Sequence, residues 1–316
     1  MKKILINGLL NTLIGYGGKM KIRVLSDLHI DMNSRYPLEL VDNDIFTIVA
    51  GDISGLASLS SEWIDKNIKK GLFIAGNHIV YNHSLKTLEE FKKELSQRYP
   101  LTNDVTFLDT LTDTYYKEIN GILFIGTTLY TDYKLGKRTI KQNMSIGTRY
   151  LNDFRYGKAF HNGKIDCLES NDYKKWFKDS MKKIKKVVED NPDKEIVIIT
   201  HHCPSEECID TKYKDSVANA SYASNLEDFI LKHPNIKCWI CGHVHNRKIF
   251  KIGKCLIIQN PRGYERSLEC NDFNPNLILD TDKWGCYAEP YTNEQWIKQR
   301  EEDNETYDKL FKMGFF

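Results

Sequence analysis

Seven side chains that can bind a divalent cation stand at or just after the ends of short apolar runs in this sequence. They are two aspartates, one asparagine and four histidines: Asp27, Asp52, Asn77, His29, His201, His243 and His245. Carboxylate, carboxamide and imidazole groups supply oxygen and nitrogen ligands to divalent metals. The set therefore predicts a metal site that is assembled from segments far apart along the chain.

The spacing within the set favours one shared site. In an extended segment, side chains two residues apart point the same way, so Asp27 with His29, and His243 with His245, can each face one site. Glycine precedes three of the seven positions and allows the chain to turn sharply before the ligand. These glycines are Gly51, Gly76 and Gly242. One such pair alone is commonly coincidental, and the prediction rests on their joint occurrence, each after an apolar run.

Short runs rich in Val, Ile and Phe alternate with helix-like stretches. The runs are continuously apolar, which is typical of strands buried on both faces. They span residues 22–25, 45–50, 72–75, 122–125, 196–200, 238–241 and 256–259. The predicted helices are 85–98 with Ser84 as N-cap, 173–188 with an apolar stripe, and one that starts at a capping box of Ser224 and Glu227. This alternation predicts an α/β architecture in which the loops after the strands gather at one edge.

The order of these residues is similar to the motif series of the calcineurin-like metallophosphoesterase superfamily. The series here is Asp27-x-His29, Gly51-Asp52, Gly76-Asn77-His78, His201 and Gly242-His243-x-His245. It spans residues from about 20 to 264, and the segments Thr-His-His-x-Pro-Ser at 200–205 and Asn-Pro-Arg-Gly-Tyr at 260–264 resemble a bacterial and phage branch. The resemblance implies a four-layer α/β/β/α sandwich with the site on the loops at the strand ends.

The resemblance also implies a role for each ligand. Asp27, His29 and His245 would hold a first cation, Asn77, His201 and His243 a second, and Asp52 would bridge both. Two cations roughly 3.5–4 Å apart can acidify a shared water and clamp phosphate oxygens during an in-line displacement. The mixed nitrogen and oxygen ligands suit Mn, Fe, Zn, Co or Ni, with Mn favoured, and are poorly matched to Mg or Ca.

His78 follows the predicted ligand Asn77, and the resemblance implies that it helps to protonate the leaving group. The position after this histidine is usually acidic in the superfamily, and here it is Ile79. Either another carboxylate orients His78, or protonation is weaker and substrates with good leaving groups are favoured.

Two further residues are predicted to contact the substrate, His202 and Arg262. Either of the adjacent His201 and His202 can be the ligand; His201 follows the strand directly, which leaves His202 as a supporting or substrate-facing residue. Arg262 can bind phosphate through its planar guanidinium, or it can brace its own loop, and the two interpretations are equally weighted. Thr128, Tyr130 and Asp132 can also line the site.

The predicted function is dinuclear-metal-dependent hydrolysis of a phosphate ester, with a small phosphorylated molecule or a nucleotide as substrate. A phosphodiesterase is slightly favoured over a phosphomonoesterase. The near-neutral net charge of +2 counts against a long nucleic acid or an anionic membrane as partner. The alternatives are a nuclease and a binding scaffold of the same fold with weak or absent catalysis.

The chain of 316 residues is interpreted as three parts: a leader extension at 1–19, a metallophosphoesterase domain at 20–290, and a C-terminal helix at 291–316 packed on that domain. The apolar run near the N terminus is shorter than the ~20 residues that span a bilayer. Eight cysteines in so long a chain are too dilute for a disulfide scaffold, which favours a reducing cytoplasm. Cys238-x-x-Cys241 overlaps a predicted strand and is interpreted as two core thiols.

Overall fold

Two six-stranded β-sheets form the centre of the protein in the computed structural model, which describes residues 19–33, 38–81, 88–264 and 272–289. The strands of the first sheet are β1 (Lys21–Leu25), β2 (Phe46–Ala50), β3 (Lys70–Ile74), β4 (Asp104–Phe107), β13 (Leu277–Asp280) and β14 (Gly285–Ala288). Those of the second are β5 (Tyr116–Ile119), β6 (Ile122–Thr127), β9 (Glu195–Thr200), β10 (Ile236–Cys241), β11 (Lys248–Ile252) and β12 (Cys255–Gln259). Strands β7 (Lys158–His161) and β8 (Lys164–Cys167) form a separate hairpin.

The strands that precede the predicted ligands lie side by side and parallel. The first sheet has the order β14-β13-β1-β2-β3-β4, with β1 to β4 parallel. The second has the order β11-β12-β10-β9-β6-β5, with β6, β9, β10 and β12 parallel. All seven predicted strands are present, with ends shifted by two residues at most. Parallel neighbours bring their carboxyl ends, and hence the residues that follow them, to one edge.

A layer of apolar side chains joins the two sheets. Ile22, Ile48 and Ile74 from the first sheet and Phe124, Ile199 and Ile240 from the second belong to one buried cluster. Successive side chains of a strand point to opposite faces, so the remaining apolar residues of each strand face outward and need a further cover. This requirement explains why the runs are apolar without alternation.

Helices supply that cover on both outer faces. They are α1 (Ala57–Asn67), α2 (Leu88–Gln97), α3 (Ile140–Tyr150), α4 (Asp153–Tyr156), α5 (Ser170–Asp190) and α6 (Glu227–Lys232). Ile64 of α1 and Phe91 of α2 share a cluster with Phe73 of the first sheet. Ile184 of α5 and Ile230 of α6 share one with the second sheet. The arrangement is the expected α/β/β/α sandwich.

The helix predictions met different outcomes. The apolar stripe of 173–188 lies in α5, whose Phe177, Ile184 and Val188 are buried. The capping box of Ser224 and Glu227 is wrong: α6 begins after Leu226 without a side-chain cap. Ser224 Oγ instead accepts from the Asp132 amide at 3.3 Å, and Glu227 accepts from Ser205 Oγ at 2.5 Å. Each of the two side chains therefore forms a hydrogen bond with a residue distant in sequence and not with the other.

Several predictions concern residues outside the described part of the chain. They are the leader extension apart from Lys19, the N-cap Ser84, and the C-terminal helix at 291–316. The domain limits therefore stay predictions. Within the described ranges, no helix combines the length and the apolar character that crossing a bilayer requires.

Candidate metal centre

The loop after β1 is held between two other loops. The amides of Asp27 and His29 donate to the carbonyls of Gly51 and Asp52, each at 3.0 Å. On the opposite side, the amide of Gly263 donates to the carbonyl of Asp27 at 3.0 Å. Main-chain hydrogen bonds thus join loops from three separate parts of the chain. These bonds fix the positions of the polar side chains that the loops carry.

Five of the seven predicted ligands adopt a left-handed backbone conformation. Their φ angles are 52° at Asp27, 43° at His29, 49° at Asp52, 71° at His243 and 44° at His245. Such a conformation costs a residue other than glycine about 1–2 kcal/mol, so the surrounding structure must enforce it. The expectation that two-residue spacing works through an extended backbone is wrong for both Asp-x-His and His-x-His, because these loops turn at each ligand position.

A first cluster consists of Asp27, His29 and His245. Their donor atoms lie within 4.8 Å of one another. His245 Nε2 is 3.0 Å from His29 Nε2 and 3.4 Å from Asp27 Oδ1. Asp27 is fully buried, and its two oxygens also accept from the main-chain amide of His243, at 2.9 and 3.1 Å. The first cluster therefore combines one anchored carboxylate with two imidazoles.

A second cluster consists of Asn77, His201 and His243. His201 Nδ1 lies 2.9 Å from the carbonyl oxygen of Ala50, which requires that Nδ1 carry the proton. This leaves Nε2, which lies 3.0 Å from Asn77 Oδ1, as the ring nitrogen that would face a cation. The His243 ring centroid is 5.1 Å from that of His201. His243 Nε2 is buried and has no hydrogen-bond partner among the described residues, as expected of an imidazole nitrogen shaped for a cation.

Asp52 lies between the two clusters. Its Oδ2 is 3.1 Å from His201 Nε2 and 3.8 Å from His78 Nε2. It shares one potential metal-binding group with Asp27 and His201, and another with His29 and His78. A carboxylate so placed can offer one oxygen to each side, and the donor set of the whole centre is the mixed one that suits a transition-metal ion.

The charges of the centre are strongly coupled. Burial alone would raise the pKa of Asp52, but His201 and His78 hold that pKa well below its ordinary value. Burial would lower the pKa of His201, but Asp52 and Asp27 raise it to about 9. Burial and neighbouring imidazoles lower the pKa of His243 well below its ordinary value. Before a cation binds, the centre therefore holds ionised carboxylates, a neutral His243 and a protonated His201, and a cation bound at His201 would displace its Nε2 proton.

Three glycines are required by the close approach of other side chains, and one of them also by its backbone conformation. A Cβ on Gly76 would lie 1.9 Å from Asp52 Oδ1, and one on Gly242 would lie 2.3 Å from Asp27 Oδ2. A Cβ on Gly51 would lie 2.3 Å from His201 Nδ1, and only this glycine of the three has a positive φ, 92°. Each glycine therefore makes room for a side chain that another strand supplies.

His78 faces a cavity of about 500 Å³ that opens over the centre. Its ring stacks on Tyr81 with centroids 4.4 Å apart, and its Nε2 lies 3.0 Å from the hydroxyl of Tyr264. Asp52, Asn77, His243 and His245 also line this cavity. Ile79 is buried in the apolar core, so the position after His78 contributes nothing to the cavity.

His202 and Arg262 lie outside the cavity lining. His202 is fully buried, and its ring packs against that of His243 with centroids 4.1 Å apart. Burial and His201 lower its pKa to about 3. Arg262 is 1% exposed, and its amide donates to the carbonyl of Ser26 at 3.0 Å. These positions favour a supporting role for His202 and a bracing role for Arg262 over the predicted contact with substrate.

The other suggested lining residues are absent from the cavity wall. Thr128 and Tyr130 are buried, and the Thr128 hydroxyl donates to the carbonyl of Ala75 at 2.8 Å. Asp132 lies near α6, where its amide is bonded to Ser224. The sequence prediction is wrong for these three because the loop after β6 turns back into the core.

Asp153 was missed by the sequence analysis. It is buried in α4, and its Oδ1 accepts from Asn77 Nδ2 at 2.7 Å, which turns Asn77 Oδ1 towards His201. Its Oδ2 accepts from Tyr81 at 3.1 Å, and the Tyr173 hydroxyl donates to Oδ1. Asp153 follows no strand and stands in no motif, so no local signal pointed to it.

The chain resembles known proteins in both sequence and fold. The family model described as calcineurin-like phosphoesterase matches residues 20–247. An uncharacterized protein of Acanthamoeba polyphaga mimivirus is 27% identical over 286 residues, which cover 83% of this chain and 97% of that protein. The crystal structure of phosphopantetheinyl hydrolase from Mycobacterium tuberculosis superposes with a TM-score of 0.59 at 15% identity, over 79% of this chain and 92% of that one. The structural similarity shows a shared fold.

Proposed function

The chain belongs to the calcineurin-like phosphoesterase family and is a phosphoester hydrolase, and on this premise we propose that it works with two divalent cations bound side by side. The observation that carries the proposal is the place of the Asp52 carboxylate between the two clusters of predicted ligands. Two such cations, when bound, activate a water molecule and neutralise charge on the phosphate oxygens.

We assign the ligands by the clusters in which they lie. Asp27, His29 and His245 would hold one cation and Asn77, His201 and His243 the other, with the Asp52 carboxylate available to both sites. His202 supports the His243 ring by packing against it, with ring centroids 4.1 Å apart. Asp153 orients the Asn77 side-chain amide by accepting its hydrogen bond at 2.7 Å. The mixture of carboxylate, carboxamide and imidazole donors suits Mn, Fe, Zn, Co or Ni, and of these we propose Mn²⁺.

His78 donates the proton to the leaving group. His78 lines the cavity and is not one of the proposed ligands. Its Nε2 lies 3.8 Å from Asp52 Oδ2. Tyr264 takes the place of the acidic neighbour that the superfamily usually provides, because its hydroxyl is 3.0 Å from His78 Nε2. A phenol orients the imidazole without adding a negative charge, so we expect the enzyme to favour good leaving groups.

A small phosphorylated molecule with a flat portion fits the cavity best. Five tyrosines line it: Tyr81, Tyr150, Tyr213, Tyr222 and Tyr264. Aromatic rings bind flat groups such as nucleobases by stacking, and a volume of about 500 Å³ is in the range of small-molecule sites. Lys212 at the same cavity offers a cation to a phosphate. A nucleotide or a nucleoside phosphodiester is therefore the favoured substrate class.

The proposal is tested with bis-p-nitrophenyl phosphate and p-nitrophenyl phosphate after chelation and readdition of Mn²⁺. We expect turnover that requires Mn²⁺, with the diester hydrolysed faster. Asp52→Asn removes one bridging oxygen and should abolish the recovery, whereas Asp193→Asn, an exposed change, should recover fully. Absence of turnover with every added divalent metal would favour the binding scaffold instead, and cleavage of single-stranded DNA at comparable rates would favour the nuclease.

A further inference from the structure

Three buried thiols lie together behind the metal centre, and we call Cys203, Cys208 and Cys241 the thiol cluster. Each is fully buried, and their sulfur atoms lie within 4.8 Å of one another. The Cys208 and Cys241 sulfurs are 3.9 Å apart. All three are free thiols. The cluster belongs neither to the cavity lining nor to the seven proposed ligands.

The three cysteines reach this point from separate segments. Cys203 lies in the loop after β9, Cys208 ends the 3-10 helix Glu206–Cys208, and Cys241 ends β10. Cys238 stands three positions earlier on β10 and faces the layer between the sheets, so it is excluded from the cluster. Convergence of three thiols from three segments is a tertiary arrangement, distinct from the Cys238-x-x-Cys241 spacing.

The spacing of the Cys208 and Cys241 sulfurs matches that of a thiolate metal site, and the Cys203 sulfur lies within 4.8 Å of both. A tetrahedral zinc with Zn–S bonds of about 2.3 Å separates its sulfurs by about 3.8 Å. The separation of 3.9 Å between Cys208 and Cys241 needs almost no adjustment, whereas a disulfide would require the two sulfurs to close to about 2.05 Å. The Gln259 side-chain amide donates to the Cys203 sulfur at 3.7 Å, the kind of contact that stabilises a thiolate.

We propose that the thiol cluster binds one thiophilic divalent cation, Zn²⁺ in the native protein. Each cysteine that ligates the metal loses its thiol proton to solvent, and the cation offsets the cost of burying the thiolates. Cys203 lies two residues after His201, and Cys241 lies two residues before His243. The bound cation therefore clamps together the two loops that present ligands of the second cluster.

The test uses Co²⁺, which reports sulfur ligation by a thiolate-to-cobalt charge-transfer absorption. The full chain carries Cys167→Ser and Cys270→Ser, which remove the exposed Cys167 and the cysteine outside the described residues. We expect the band in this background protein together with about three cobalt ions per chain by elemental analysis. Cys208→Ser and Cys241→Ala should each remove the band and one cobalt, while the matched control Cys238→Ala should keep both.

The outcomes separate this proposal from the proposed function. Asp52→Asn should lose the cobalt of the metal centre and keep the sulfur band, because the seven proposed ligands include no sulfur. Absence of the band from the background protein would overturn the proposal without need of any variant in the cluster, so a misfolded variant cannot obscure the answer. The proposal would also be overturned if both cluster variants kept the band. It would be overturned equally if the mass of the native protein were lower by two hydrogens because Cys208 and Cys241 form a disulfide.

Discussion

The hydroxyl of Tyr264 lies 3.0 Å from Nε2 of His78, and we propose that this contact takes the place of the acidic neighbour that Ile79 does not provide. The His78 ring also stacks on the ring of Tyr81, with centroids 4.4 Å apart. Asp52 Oδ2 is farther away, at 3.8 Å. A neutral phenol therefore makes the nearest polar contact of the proposed acid, and the chemistry of the leaving group should reflect it.

Tyr264→Phe removes that contact and keeps the ring. We expect the kcat for a substrate with a poor leaving group, such as an alkyl ester, to fall by about 5-fold, since one neutral hydrogen bond contributes about 1 kcal/mol. The kcat for a p-nitrophenyl ester should change by about 2-fold or less, because p-nitrophenolate leaves without a proton. Tyr213→Phe, which removes the hydroxyl of an exposed cavity tyrosine, is the control. Equal losses for both leaving groups in Tyr264→Phe would contradict the orienting role.

Gly76→Ala should disrupt the metal centre. The added Cβ would lie 1.9 Å from Asp52 Oδ1 and 2.7 Å from the Asp52 amide nitrogen, so both the side chain and the backbone must move. We expect activity to fall by about 100-fold or more and metal content to fall with it, measured by assay and by elemental analysis. Gly285→Ala meets no atom within 4 Å and should retain both. Normal metal content in Gly76→Ala would show that the loop relaxes at little cost.

Chelation should lower the thermal midpoint of unfolding. Asp27, Asp52 and His201 are buried together in the folded chain, and a cation that binds this assembled centre but not the unfolded chain stabilises the folded state by mass action. Differential scanning fluorimetry should show a rise of several degrees when Mn²⁺ is restored to the chelated protein. In Asp52→Asn the rise should shrink to about half or less; an undiminished rise would place the cations elsewhere.

Asp109 should make stability fall as the pH rises from about 4 to 7. It is fully buried, and burial raises its pKa from 3.8 to about 6. Because the folded chain holds this proton more tightly than the unfolded chain, the stabilisation is complete below pH 4 and is lost as the pH passes 6. A shift of about 2 units corresponds to about 3 kcal/mol of unfolding free energy.

The measurement is urea unfolding of the wild type and of Asp109→Asn at several pH values. The free energy of unfolding of the variant, minus that of the wild type, should increase by about 3 kcal/mol between pH 4 and pH 7. The titration of all other groups cancels in this difference. A flat profile for Asp109→Asn would mean that the Leu111 amide, which donates to Asp109 at 2.7 Å, stabilises the ionised form sufficiently.

Local features of the sequence were sufficient for most of the architecture. Continuous apolar runs predicted the buried strands because a strand covered on both faces has no polar side to show, as in β9 and β10. The 3.6-residue period of the stripe in α5 predicted that helix for the same kind of reason. The types and order of the residues after those strands were likewise enough to indicate metal chemistry and the family.

Only the tertiary structure decided how those residues meet. The way in which the loops at the strand ends pack together brings Asp52 next to His201. The same packing explains why Gly76 and Gly242 must lack a side chain, because residues distant in sequence occupy that space. The tertiary structure also places Asp153 in hydrogen-bond contact with Asn77, and Tyr264 with His78. Ser224 and Glu227 form hydrogen bonds with other residues and not with each other. Hydrophobic periodicity reports burial along one segment, whereas a hydrogen bond between loops depends on where the whole packed chain places both ends.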